Sequence, residues 1–207
     1  MKKIGFIGAY DKTDLLIYIA KLLVENDLKI LIIDSTILQK TRYTVPCIMP
    51  SRKYITTYED IDVAIGFETL QEIIDYNGTK DFEYDMILAD VDSREIFESL
   101  EMQNADKNYF VTAFDNYSLK KGLEVLGKSE EKMPMTKVLF SKNMEKDEDE
   151  YLNFLSFYYA VRWNKEKIYF PFEAGDNSVI VDNQRNARIS FKELSMQYKE
   201  GILEIIS

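Results

Sequence analysis

Apolar residues fall into two rhythms along this chain, and the changes between them mark its elements. Ile4, Phe6 and Ile7 make a short apolar run, as a strand buried on both faces requires. Gly8-Ala9-Tyr10-Asp11 interrupts it. From Lys12 the spacing becomes helical, with Leu15, Leu16, Ile19, Leu22 and Leu23 on one face. Asn26-Asp27 ends that helix, and Lys29–Ile33 is a second strand closing on Asp34. Strand, helix and strand form a βαβ unit, whose crossover is almost always right-handed.

The stretch 36–66 leaves this rhythm. Thr41–Val45 and Arg52–Tyr58 are β-rich segments separated by Pro46 and Pro50, and read as a hairpin or an excursion at a sheet edge. Phe67, Leu70, Ile73 and Ile74 restore a helix up to Tyr76, with Asn77-Gly78 as its stop. Strands follow at Met86–Asp90, Tyr109–Thr112 and Thr136–Ser141, with a helix opened by Ser118 and running through Leu126. Glu145–Glu150 reads as an exposed helix start before the aromatic run Tyr151–Tyr159. Lys167–Phe172 is a strand running into Pro171. Asp176–Ala187 is polar and loop-like, with at most a short helix. Ser190 is placed to cap a last helix from Phe191, with Leu194, Tyr198, Ile202 and Ile205 on one side. Strands alternating with helices predict an α/β fold, a mostly parallel sheet with helices on both faces. No repeat or linker divides it, so residues 1–207 read as one domain.

Composition narrows the chemistry. The 207 residues carry a formal net charge of -10 and no long basic run, which argues against direct nucleic-acid or anionic-membrane binding. Absence of histidine removes His-based metal sites and triads. Cys47 is the only cysteine, so no internal disulfide framework exists. No apolar run reaches the roughly 18 residues of a membrane span, and the chain opens directly into a strand. A soluble cytoplasmic protein is expected. Its Lys, Asn, Ile and Tyr usage suits a low-GC bacterium.

The candidate chemistry lies in the first loop and at two strand ends. The order Gly8, Lys12-Thr13, helix, Ile33-Asp34 and later Asp90 resembles the ParA/MinD group of P-loop ATPases. That resemblance implies a P-loop NTPase-like three-layer fold. It also implies that Gly8, Asp11, Lys12 and Thr13 line a phosphate loop, that Asn143 lies near an adenine, and that Thr13, Asp34 and Asp90 approach a magnesium ion if nucleotide binds. Lys12, Asp34 and Asp90 are the catalytic candidates of an active enzyme. Asp92 joins the same cluster, because carboxylates at the C-terminal ends of parallel strands line the ligand crevice.

The departures from the family are physical. The loop is short and keeps only Gly8, although glycines let backbone N–H groups converge on phosphates. The family's second, signature lysine is missing, and Asp11 stands where it has glycine. A carboxylate there repels a polyanion but serves well as a helix N-cap. The expectation is therefore an ATPase-like scaffold that has lost efficient hydrolysis, takes no cofactor, and works through protein partners. Such partners would belong to a secretion, pilus, conjugation or partition machine. The alternative is an active ATPase using ATP and magnesium, cycling through a possible homodimer. A third reading, a receiver-like phospho-acceptor domain built on Asp34, Asp90 and Asp92, fits the length and the Lys-Thr loop poorly. The aromatic band from Tyr151 to Phe172 reads either as core or, with Arg162-Trp163, as an interaction surface. Arg42, Arg52 and Lys53 read as a solvated face, with an acidic partner or subunit contact as the alternative.

Overall fold

The structure, a computed structural model, describes residues 1–48, 50–78, 82–141, 146–171 and 173–207, and for 146 and 147 the backbone alone. One sheet of eight strands runs through it. In chain order these are β1 (Lys2–Ile7), β2 (Ile30–Asp34), β3 (Tyr54–Tyr58), β4 (Ile61–Ile65), β5 (Met86–Val91), β6 (Lys107–Ala113), β7 (Met133–Ser141) and β8 (Val161–Pro171). Their spatial order is β3-β4-β2-β5-β1-β6-β7-β8. Every pairing is parallel except that of β3 with β4. β2 and β5 are buried at nearly every position, because helices cover both sides of a parallel sheet.

The helices divide between the two faces. α1 (Thr13–Val24) buries Leu15, Leu16 and Ile19 on one of them. It shares that face with α7 (Ala174–Arg185) and α8 (Met196–Ile206), which contributes Tyr198, Ile202 and Ile205. The opposite face is covered by α3 (Leu70–Asn77), α4 (Arg94–Ser99), α5 (Asn116–Leu126) and α6 (Lys146–Leu155), through Ile73, Phe97, Leu123 and Leu152. α2 is a single turn, Thr41–Thr44. The result is a three-layer α/β fold.

Several boundaries differ from the sequence expectation. Thr41–Thr44, expected as β-rich, is a helical turn. The edge hairpin is instead β3–β4, turned by Glu59 and Asp60 at φ 47° and 66°. Asp176–Ala187 lies mostly in the three-turn helix α7. Its fully buried positions are the polar Asp176 and Asn183, so no apolar periodicity announced it. The last helix starts at Met196 rather than Phe191, and its cap is Ser195, whose Oγ accepts the Tyr198 N–H. Asp115, not Ser118, caps α5, accepting the Ser118 N–H. α4 was not anticipated, although Ser93 caps it in the ordinary way.

Candidate functional site

β1, β2 and β5 end side by side at one edge of the sheet, and the loop between β1 and α1 crosses above them. Gly8 carries the turn at φ 141°. A Cβ there would stand 2.3 Å from the Val111 carbonyl oxygen, so β6 also requires glycine at this position. The one glycine kept in the loop thus serves backbone packing.

Lys12 does not reach into solvent. Its side chain is 2% exposed, and the ammonium donates to the carbonyls of Gly8 (2.6 Å) and Tyr10 (3.0 Å). It also lies 2.9 Å from Oδ1 of Asp90, at the end of β5. Among the described residues, no other donor serves that oxygen. Burial pushes the Asp90 carboxyl up to about 7; the neighbouring Asp34 and Asp92 carboxylates add to this, while the Lys12 ammonium opposes it.

Asp11 stands one residue before the cap position, which is Lys12 with no side-chain cap bond. Its carboxylate still acts on the helix start, because Oδ1 accepts the Thr13 N–H at 3.1 Å. Oδ2 accepts from the Lys40 ammonium at 2.8 Å. Burial alone would raise the Asp11 pKa, but the hydrogen bonds from Lys40 and Thr13 prevail and hold it below the usual carboxylate range. A backbone amide at a helix start, which could have faced a phosphate, already faces an anion.

The other carboxylates are engaged by backbone. Asp34 accepts the Thr36 N–H (3.0 Å) and hydroxyl (2.6 Å) through Oδ1, and the Thr41 N–H (3.1 Å) through Oδ2. Asp92 accepts the Ile37 N–H at 3.1 Å. The structure therefore brings Gly8, Asp11, Lys12, Thr13, Asp34, Asp90 and Asp92 to one edge. Asn143 lies outside the described residues. Among the described residues, no three His, Cys, Asp or Glu side chains are grouped to hold a metal ion. The cavity beside Lys12, Thr13 and Asp90 measures about 50 Å³. Small-molecule pockets run to about 300–1,000 Å³, several times this volume.

Sequence reasoning missed Lys40 and the threonines around Asp34. Asp34-Ser35-Thr36 carries a readable signal, since Asp accepts readily from the amide two residues on. Lys40 offers none, because its pairing with Asp11 across 29 residues is created by the fold.

No family model and no curated protein matches the chain. Solved structures do match. The ParA family ATPase from Chlorobium tepidum TLS superposes with a TM-score of 0.66 at 13% identity, covering 100% of this chain and 98% of that one. A chain of the MinC:MinD cell division protein complex of Aquifex aeolicus gives 0.59 at 15% identity, covering 100% and 96%. The septum site-determining protein MinD of Pyrococcus horikoshii OT3, complexed with Mg-ADP, gives 0.58 at 14% identity, covering 97% and 93%. The chain has the fold of the ParA/MinD ATPases across essentially its whole length.

Proposed function

We propose that this chain is an ATPase-like scaffold, a positioning protein that lacks efficient ATP hydrolysis and acts through protein contacts in the bacterial cytoplasm. The observation carrying this reading is the internal use of the loop's cation. A phosphate-binding lysine offers its ammonium as a free point charge. Here Gly8, Tyr10 and Asp90 take it up, while Asp11 occupies the Thr13 amide. The fold supports the positioning role, since its solved neighbours include a cell division protein and a ParA family ATPase. An exposed aromatic cluster supports the protein contacts. Phe154, Phe157 and Tyr158 follow one another at the end of α6 and beyond it, 77%, 65% and 74% exposed. Rings of this kind anchor protein interfaces.

A second reading, an active ATPase with a nucleotide-controlled dimer, draws on the convergence of Lys12, Thr13, Asp34 and Asp90 at one sheet edge. Calorimetric titration of MgATP and MgADP, paired with thermal denaturation, separates the two. The scaffold reading expects no heat and no shift at millimolar nucleotide. Binding would stabilise the fold by about 2.7 kcal/mol at 100 times Kd, and a shift of that kind would overturn the scaffold reading.

A further inference from the structure

A second cavity adjoins the loop on the face covered by α1, α7 and α8. It encloses about 410 Å³, within the about 300–1,000 Å³ typical of small-molecule sites. Tyr10 and Phe140 form one wall, with ring centroids 4.6 Å apart. Asp11, Asp14, Glu173 and Asp176 bring four carboxylates to the lining, and among the described residues no Lys or Arg joins them. Among the described residues, only Asp11 of the four has a cation partner, Lys40. Asp14 receives the Gln184 amide at 2.7 Å. Asp176 receives the Ser195 N–H at 2.6 Å and its hydroxyl at 2.8 Å. These are neutral donors, so among the described residues the lining carries an excess of negative charge.

Tyr198 gives an independent sign. It lies on α8, is 4% exposed, and packs its ring edge-on against Phe170 at 5.1 Å. The residue lines the cavity, yet its hydroxyl makes no hydrogen bond among the described residues. The side chain is buried but its hydroxyl is not sealed from solvent, so a ligand in the cavity can take the place of water on it.

We propose that this cavity binds a guanidinium or primary-amine cation. The Asp14 and Glu173 carboxylates balance its charge, the Tyr198 hydroxyl accepts an N–H, and the aromatic wall packs along its apolar part. The cation is either a free small molecule or the side chain of an arginine presented by a protein partner. The inference stands apart from whether the loop hydrolyses ATP. The carboxylates disfavour a nucleotide in this cavity for the same reason that they favour a cation.

The test is calorimetric titration of the full chain at low ionic strength with two probes, agmatine and a capped Gly-Arg-Gly peptide. Heat with agmatine identifies a free cation; heat with the peptide alone identifies a presented side chain. Either supports the proposal if Asp14→Asn combined with Glu173→Gln weakens binding by about tenfold or more. Glu173 is exposed, so Glu173→Gln alone serves if the double variant does not fold, and Tyr198→Phe tests the hydroxyl separately. Absence of heat with both probes would overturn the proposal, as would unchanged affinity in the variants or displacement of either probe by ATP.

Discussion

The Lys12 ammonium lies 2.9 Å from the Asp90 carboxylate, with the two side chains 2% and 3% exposed. Paired charges this deep stabilise the fold mainly by compensating each other. Removing one partner leaves the other uncompensated, at a cost of about 3–5 kcal/mol. Asp90→Ala and Lys12→Ala should each lower the urea-unfolding free energy by that order. Lys12→Met with Asp90→Leu should recover most of the loss. A loss in the double variant equal to the sum of the two single losses would show that the two groups do not act as a pair.

Asp11 holds two donors, the Thr13 amide and the Lys40 ammonium. Asp11→Gly releases both and removes a charge that repels phosphate. Its stability cost should stay below about 1 kcal/mol, because Gly is tolerated near a cap and the pair with Lys40 is exposed. Affinity for tripolyphosphate, read by thermal shift, should rise above that of the unsubstituted chain. No gain would mean that the short loop and the inward Lys12 close the site, rather than the Asp11 charge.

Gly8→Ala should be among the most damaging small substitutions. It forces φ 141° on a residue with a Cβ, and that Cβ meets the Val111 carbonyl at 2.3 Å. Strain and overpacking together should cost about 2–5 kcal/mol in urea unfolding. A loss under about 0.5 kcal/mol, the range of an ordinary surface change, would show that β1 and β6 can separate freely at this point.

The sheet was legible in the sequence because its central strands are short apolar runs. The βαβ opening and the Leu70–Asn77 helix with its Gly78 stop follow from local chemistry alone. The helix α7 was not legible, because its contacts with the fold are polar. Asn183 donates to the Tyr18 hydroxyl and the Ser190 carbonyl, and Asp176 holds Ser195. The site was half legible. Order and spacing brought Lys12, Asp34 and Asp90 to one edge, but nothing local indicates that Lys12 turns inward. The aromatic band also proved mixed. Phe170 is buried and Trp163 packs against the core, whereas Phe154, Phe157 and Tyr158 face solvent.

Those exposed rings separate stability from association. Phe154→Ser with Tyr158→Ser should leave the unfolding free energy within about 0.5 kcal/mol, as for surface positions generally. Phe157 is spared because its carbonyl accepts from Lys132 and its ring lies under the same ammonium. Capture of a protein partner, or self-association measured by ultracentrifugation, should weaken if α6 is the contact face. Unchanged association would direct attention to another set of exposed apolar residues, Leu38, Tyr43 and Ile48.

Asp14 should make its own mark on the pH dependence of stability. Burial, with Asp11 beside it, raises its carboxyl to about 6, against the opposing Gln184 hydrogen bond and the Lys40 charge. Between about pH 4 and about 6 the folded chain holds a proton that the unfolded chain has released, so Asp14 lowers stability as pH rises through that window. Asp90, raised to about 7, acts in the same direction over an overlapping range. Asp14→Asn keeps the shape and an acceptor for Gln184 while removing the charge. The stability of the Asn variant relative to the original should therefore increase from about pH 4.5 to about 6.5 and then level off. Urea unfolding of both chains across that range measures it. A difference that stays flat would mean that Asp14 ionises in the fold as it does in water, and that the cavity is wetter than its lining indicates.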